Sequence, residues 1–145
     1  MKDAKKFLDF LHLYKLYFLR RYGAKLSYEI KLHTSETLEG MDKVYEASLD
    51  KVLKFKNGRN QYLLDVDDGF YCAQYLQAWI FEEQLRAILQ KKFGEEWFSS
   101  KETGKFLTKL WMDGQKYDVI ELAKMMGYDG LDVNPLLASI QKQLS

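Results

Sequence analysis

The sequence predicts an all-α protein: a compact bundle of about six helices around a buried, Tyr-rich central helix, with a long N-terminal helix. Three observations lead there. Proline is nearly absent, with Pro135 alone in 145 residues, which leaves long segments free to stay helical. Apolar residues recur at three- and four-residue steps through Leu-, Lys-, Glu- and Gln-rich stretches. The run GFYCAQYLQAWIF, residues 69–81, is apolar on nearly every side, as a helix in the middle of a domain would be.

The length fits one helical domain over residues 1–145, long enough to bury a core. Basic and acidic residues nearly balance, 22 against 21, for a net charge of +1. That balance argues against a nucleic-acid partner. The single cysteine, Cys72, excludes an intrachain disulfide framework and fits a reducing compartment. The N-terminus MKDAKKFLDF carries charges where a signal peptide would be apolar, and no apolar run reaches the roughly 20 residues of a membrane span. A cytoplasmic protein without membrane contact is expected.

Taken in order, residues 3–33 read as one helix with Asp3 as N-cap. Phe7, Leu8, Leu11, Tyr14, Tyr17 or Phe18, Tyr22, Leu26 and Ile30 form its expected buried face. Gly23 is a point where it bends or admits a close neighbour. The stretch FLHLYKLYFLRRY is apolar over a wide arc. It therefore asks for cover on more than one side, from a second copy or from other segments.

Met41–Phe55 forms a second helix, with Met41, Val44, Tyr45, Leu49, Val52 and Leu53 on one face and Asn57-Gly58 as its stop. Asp67 or Asp68 caps the central helix, and the acidic cluster Asp65, Asp67 and Asp68 reads as capping and dipole complementation. It lacks the spacing of a calcium loop. Glu82 and Arg86 form an exposed pair, and Gly94 ends the helix. Trp97 and Phe98 fold back onto the core. Ser99 with Glu102 and Asp118 with Glu121 have capping-box spacing, and Asn134-Pro135 opens the last helix.

The residue types that carry chemistry are sparse. His12 and His33 are the two histidines, and His-Glu-x-x-His is absent, so no metal site is expected within this chain. His12 reads as a satisfied packing residue and His33 as a C-terminal turn residue. Cys72 reads as an inert core thiol rather than a nucleophile. No phosphate- or dinucleotide-binding loop and no nucleophile elbow is present. Tyr71 and Tyr75, four residues apart with Gln74 between, can donate hydrogen bonds to a ligand carbonyl or oxyanion, or serve as core aromatics with tied hydroxyls.

The run YLLDVDDGFYCAQYLQAWIFEEQL, followed by FGEEWF, GKFLTKLW and ELAKMMGYDGLD, resembles the C-terminal end of bacterial zinc metallopeptidases of the thimet oligopeptidase and oligoendopeptidase F group. The resemblance is clearest over residues 60–145. In that family the zinc-binding helix and its downstream glutamate precede this region, and a Tyr-rich helix lines the substrate channel. Carried onto this chain, the resemblance implies a noncatalytic C-terminal part of a larger peptidase. Tyr71 or Tyr75 would support the transition state, Gln74 and Trp79 would line a pocket, and peptide would be the substrate. Zinc would belong to the full-length protein, and residues 3–33 would dock the N-terminal catalytic segment or a second copy. The departure is the missing zinc-binding pair, so the chain alone would not cleave peptides. The alternative is a stand-alone helical interaction or dimerisation module.

Overall fold

The computed structural model describes residues 2–144. They form six α-helices and no strand: α1 (Lys2–Thr34), α2 (Met41–Leu53), α3 (Tyr71–Phe93), α4 (Lys101–Met112), α5 (Val119–Met125) and α6 (Asn134–Leu144), with short 3-10 turns between some of them. The all-α class, the helix number and the long first helix are as the periodicity predicts. Packing divides the chain into two units, one running to Leu76 and including the C-terminal residues from Gln143, the other Gln77–Lys142.

The first unit is built on two rows of side chains at four-residue steps. Ala24, Tyr28 and Leu32 on α1 meet Met41, Tyr45, Leu49 and Leu53 on α2. Residues four apart lie on one helix face, so each row forms a ridge that fits beside the other. Tyr28 and Tyr45 pack edge to face at 5.0 Å between ring centroids. Their hydroxyls leave the apolar seam for acceptors: Tyr28 donates to the carbonyl of Tyr62 at 2.7 Å, and Tyr45 to the carboxylate of Asp65 at 2.7 Å.

The α2 face is the one expected. The α1 face is not: Phe7, Leu8, Leu11, Tyr14 and Ile30 are exposed. Two charged residues, Lys25 and Glu29, are buried beside Ala24 and Tyr28. Mutual ion pairing makes that burial possible, and a hydropathy pattern does not record it. Gly23 neither kinks α1 nor meets a close neighbour. Asp3 lies inside the first turn, where its charge complements the helix dipole.

Helix α2 stops at Lys54, which takes the left-handed conformation (φ 66°) and donates its amide to Asp50. The expected stop at Asn57-Gly58 lies one turn later. Asn57 instead donates its backbone and side-chain N–H groups to the Asp50 carboxylate, at 2.7 and 3.0 Å.

In the second unit, the half of α3 beyond Leu76 buries Glu83, Gln84 and Leu89, while Glu82 and Arg86 pair on the exposed side as expected. Gln84 is the hub of this unit. Its amide nitrogen donates to the carbonyl of Gly130 at 3.0 Å, and its amide oxygen accepts from the N–H of Asp132 at 3.1 Å. The loop that precedes α6 is thereby fastened to α3. The same loop, Gly127–Val133, lines a cavity of about 500 Å3.

Gly94 closes α3 with a positive φ, and Asp118 with Glu121 forms the full capping box of α5. The cap of α4 is Ser100, one residue after the expected Ser99, and it accepts from the N–H of Thr103. Trp97 is half-buried beneath the Arg86 guanidinium. Phe98 is exposed rather than folded onto the core.

Two substitutions separate the hub from an ordinary cap. Gln84→Leu leaves the part-buried Gly130 carbonyl and Asp132 amide without this partner and is expected to lower stability by about 2 kcal/mol. Asp118→Ala removes one cap and is expected to cost about 1 kcal/mol. Urea unfolding followed by circular dichroism measures both.

Candidate functional site

The most concentrated chemistry in the molecule lies where the segment Asp65–Cys72 crosses α1. Arg21, Lys25 and Glu29 stand at four-residue steps and so share one face of the helix. The Arg21 guanidinium binds Asp65 at 2.7 Å. The Lys25 ammonium binds Asp67 at 2.8 Å and lies 3.6 Å from Asp65 and 3.8 Å from Glu29. Glu29, fully buried, accepts the backbone N–H of Asp67 at 2.9 Å on one oxygen. Its other oxygen accepts the thiol of Cys72 at 3.1 Å.

This arrangement corrects the reading of Asp67 as the helix cap and of Asp65 as part of an acidic cluster complementing the helix dipole. The Asp67 carboxylate makes no capping bond; it is held by Lys25. Between Asp67 and α3 the chain passes through two left-handed residues, Gly69 (φ 60°) and Phe70 (φ 57°). A phenylalanine there is strained. Its ring is held against His33 at 5.2 Å, and the pinned ends on either side keep the turn in place. Helix α3 therefore begins at Tyr71, beyond both expected caps, Asp67 and Asp68.

Among the described residues, Glu29, Asp67 and Cys72 bring ligand-type atoms within 4.8 Å of one another. Zinc would require a thiolate and open carboxylate lone pairs. Burial and the neighbouring Glu29 push the Cys72 thiol up to about 12, so it stays protonated. The Lys25 ammonium already provides the positive charge among these acceptors. Burial lowers the Lys25 pKa, but the hydrogen bond to Asp67 and the charges of Asp65, Asp67 and Glu29 outweigh it, leaving it above its ordinary value. As arranged, the carboxylates of Glu29 and Asp67 are balanced by the Lys25 ammonium. The reading of Cys72 as a buried, unreactive thiol agrees with its place here.

The first turn of α3 directs Cys72 inward and the tyrosines outward. Tyr71 is 47% and Tyr75 39% exposed, so the half of α3 expected at the centre of the core presents its phenols to solvent. With Cys72 anchored on Glu29, Tyr71 is turned to solvent and Tyr75 lies at the edge of α1, half-exposed. The two rings meet edge to face at 5.1 Å, and Tyr75 meets Tyr22 of α1 at 5.3 Å. A hydrogen bond with Tyr71 raises the Tyr75 phenol above its ordinary value.

Gln74 is exposed and Trp79 half-buried. The cavity beside Gly127–Val133 contains neither of them, nor either tyrosine. His33 is exposed in the last turn of α1, as expected. His12 differs from expectation: its Nδ1 is buried without a hydrogen-bond partner.

Lys25→Met leaves Glu29, Asp65 and Asp67 around an apolar stem and is expected to cost about 3 kcal/mol or more. Alkaline pH acts on the same region. Cys72, Tyr28 and Tyr45 all have raised values of about 12, from 9.0 for the thiol and 10.0 for the phenols, chiefly through burial. The unfolded chain ionises first, so this stability is complete below about pH 9 and is lost as pH rises toward 12, by on the order of 2 kcal/mol or more. Urea midpoints from pH 7 to 11 record the decline.

No family model, curated protein or solved structure matches this chain.

Proposed function

We propose that this chain is the noncatalytic C-terminal helical part of a metallopeptidase-like protein, in which Tyr71 and Tyr75 form part of the wall of a peptide-binding channel. The supporting observation is the outward placement of two phenols, in mutual contact, at the start of a helix whose first turn is fastened by buried charges. Rigid, amphipathic aromatic side chains suit binding because they supply contact area at small entropic cost. Tyr71, the more exposed of the two, is in this reading the residue that touches peptide, and Tyr75, whose ring packs against those of Tyr71 and Tyr22, positions it.

The chain has two histidines and no His-Glu-x-x-His, so cleavage would depend on zinc held by a segment outside these residues. A second reading, a helical self-association module, is favoured by the exposed Phe7, Leu8, Leu11 and Leu13 of α1.

Titration of the labelled chain with short peptides, followed by amide chemical shifts, tests the channel-wall reading. Saturable shifts at residues 71–75 are expected, with Tyr71→Ala abolishing them at unchanged melting temperature. Shifts that are absent, or unaffected by Tyr71→Ala, contradict it.

A further inference from the structure

The rings of Tyr71 and Tyr75 meet nearly at right angles, with centroids 5.1 Å apart and an interplanar angle of 80°. Tyr75 meets Tyr22 in the same manner, at 5.3 Å and 69°. An edge-to-face contact occupies one face of one ring, so the half-exposed pair keeps π faces open to solvent. Such faces carry partial negative charge and attract cations. Elsewhere in the molecule rings are already covered in this way: Arg86 lies over Trp97 at 5.7 Å, Lys92 over Phe106 at 4.8 Å and Lys116 over Tyr117 at 4.9 Å. Among the described residues no cation lies over Tyr71.

We propose that the corner between Tyr71 and Tyr75 binds the ammonium or guanidinium group of a basic peptide side chain, with the acidic turn before α3 supplying negative charge beside it; the proposal rests on the peptide-binding reading above and names the side chain that the site selects. The turn lies close to the rings. The Asp67 carboxylate comes within 4.8 Å of the Cys72 sulfur, and Cys72 directly follows Tyr71. Asp68 is exposed and forms no ion pair among the described residues. The Asp67 charge reaches the phenols: Tyr75, raised chiefly by its hydrogen bond with Tyr71, is raised further by Asp67.

Charge decides the sign of the ligand. Asp65, Asp67 and Asp68 enter α3 together, and Glu29 lies against them on α1. Arg21 and Lys25 answer only part of this, two cations against four carboxylates. The excess outweighs the roughly half a positive charge that the N-terminus of α3 presents. On the face of α1 that carries Tyr22, Lys15 stands two turns away, about 10.5 Å along the axis, a distance over which salt screens its field. The whole chain has a net charge of only +1, so bulk attraction does not supply a preference for a basic peptide. The preference is a property of this corner.

The test titrates three acetylated, amidated peptides, identical except for one central residue (lysine, methionine or glutamate), into the whole labelled chain and follows the amide shifts of residues 71–75. The lysine peptide should bind about tenfold more tightly than the methionine peptide, and the glutamate peptide most weakly. Tyr71→Phe retains a π face and should retain the lysine preference; Tyr71→Leu retains apolar area without one and should erase it. Asp68→Asn, at an exposed position, should weaken the lysine peptide about threefold more than the methionine peptide at unchanged melting temperature. Equal binding of the lysine and methionine peptides, or tightest binding of the glutamate peptide, overturns the cation site while the channel wall stands. A lysine preference that survives Tyr71→Leu places the selecting charge elsewhere and overturns it too. If none of the three peptides shifts residues 71–75, both readings fall.

Discussion

The Lys25 ammonium is the interaction on which the first unit depends. It lies within reach of three carboxylates, on α1 itself and on the segment that leads into α3. Removing an ammonium from water is costly, and so is leaving a carboxylate buried beside Tyr28 and Cys72; each burial is tolerable only because the other occurs. Geometry follows from that pairing. Glu29, fixed from one side by Lys25, has lone pairs left for the Asp67 amide and the Cys72 thiol. Those two bonds set where α3 starts and which way its first turn faces.

A division of labour follows between buried charge and exposed aromatic surface. Apolar packing between the rows on α1 and α2 supplies the bulk of the core, and it is directionally undemanding. The ion cluster is directional. It holds a strained turn at Gly69 and Phe70 and locks the helix that follows, so the phenols of Tyr71 and Tyr75 stand at fixed positions without being buried. A binding surface benefits from that arrangement, because side chains held before a ligand arrives lose little freedom when it binds. In the second unit Gln84 has the corresponding role, fixing a loop by two hydrogen bonds from a buried side chain.

Helix existence was legible in the sequence, because it rests on local signals. The Asp118–Glu121 box, Gly94 after α3 and the α2 face were read from residues a few positions apart, and they hold. What failed depended on partners distant in the chain. Asp67 looks like a cap and Asp65 like a dipole-complementing acid when only their neighbours are considered; their partners Arg21 and Lys25 lie about forty residues earlier. A signal was nevertheless present. Arg21, Lys25 and Glu29 share a face with Ala24 and Tyr28, so a charged column flanks the apolar one, and the acidic run of residues 65–68 supplies the complementary sign. The tyrosines were placed at the centre of the core because their helix looks apolar all round. Tyrosine counts as apolar in such a pattern, yet its hydroxyl allows a half-exposed position. Nothing local marks Gln84, whose role comes from a loop more than forty residues away.

The clamp on the Asp65–Cys72 segment is tested most directly by native-state hydrogen exchange at the backbone amide of Asp67, which Glu29 accepts. This amide precedes a turn and lies outside any α-helix, so the ordinary expectation for its position is rapid exchange by local opening. If buried charge holds the segment, the amide should exchange only through global unfolding, with the same protection as the core amides of Tyr28 and Leu49, and Lys25→Met should release it selectively. Exchange as fast as in the exposed connector after α1, with Tyr28 and Leu49 still protected, would contradict the clamp.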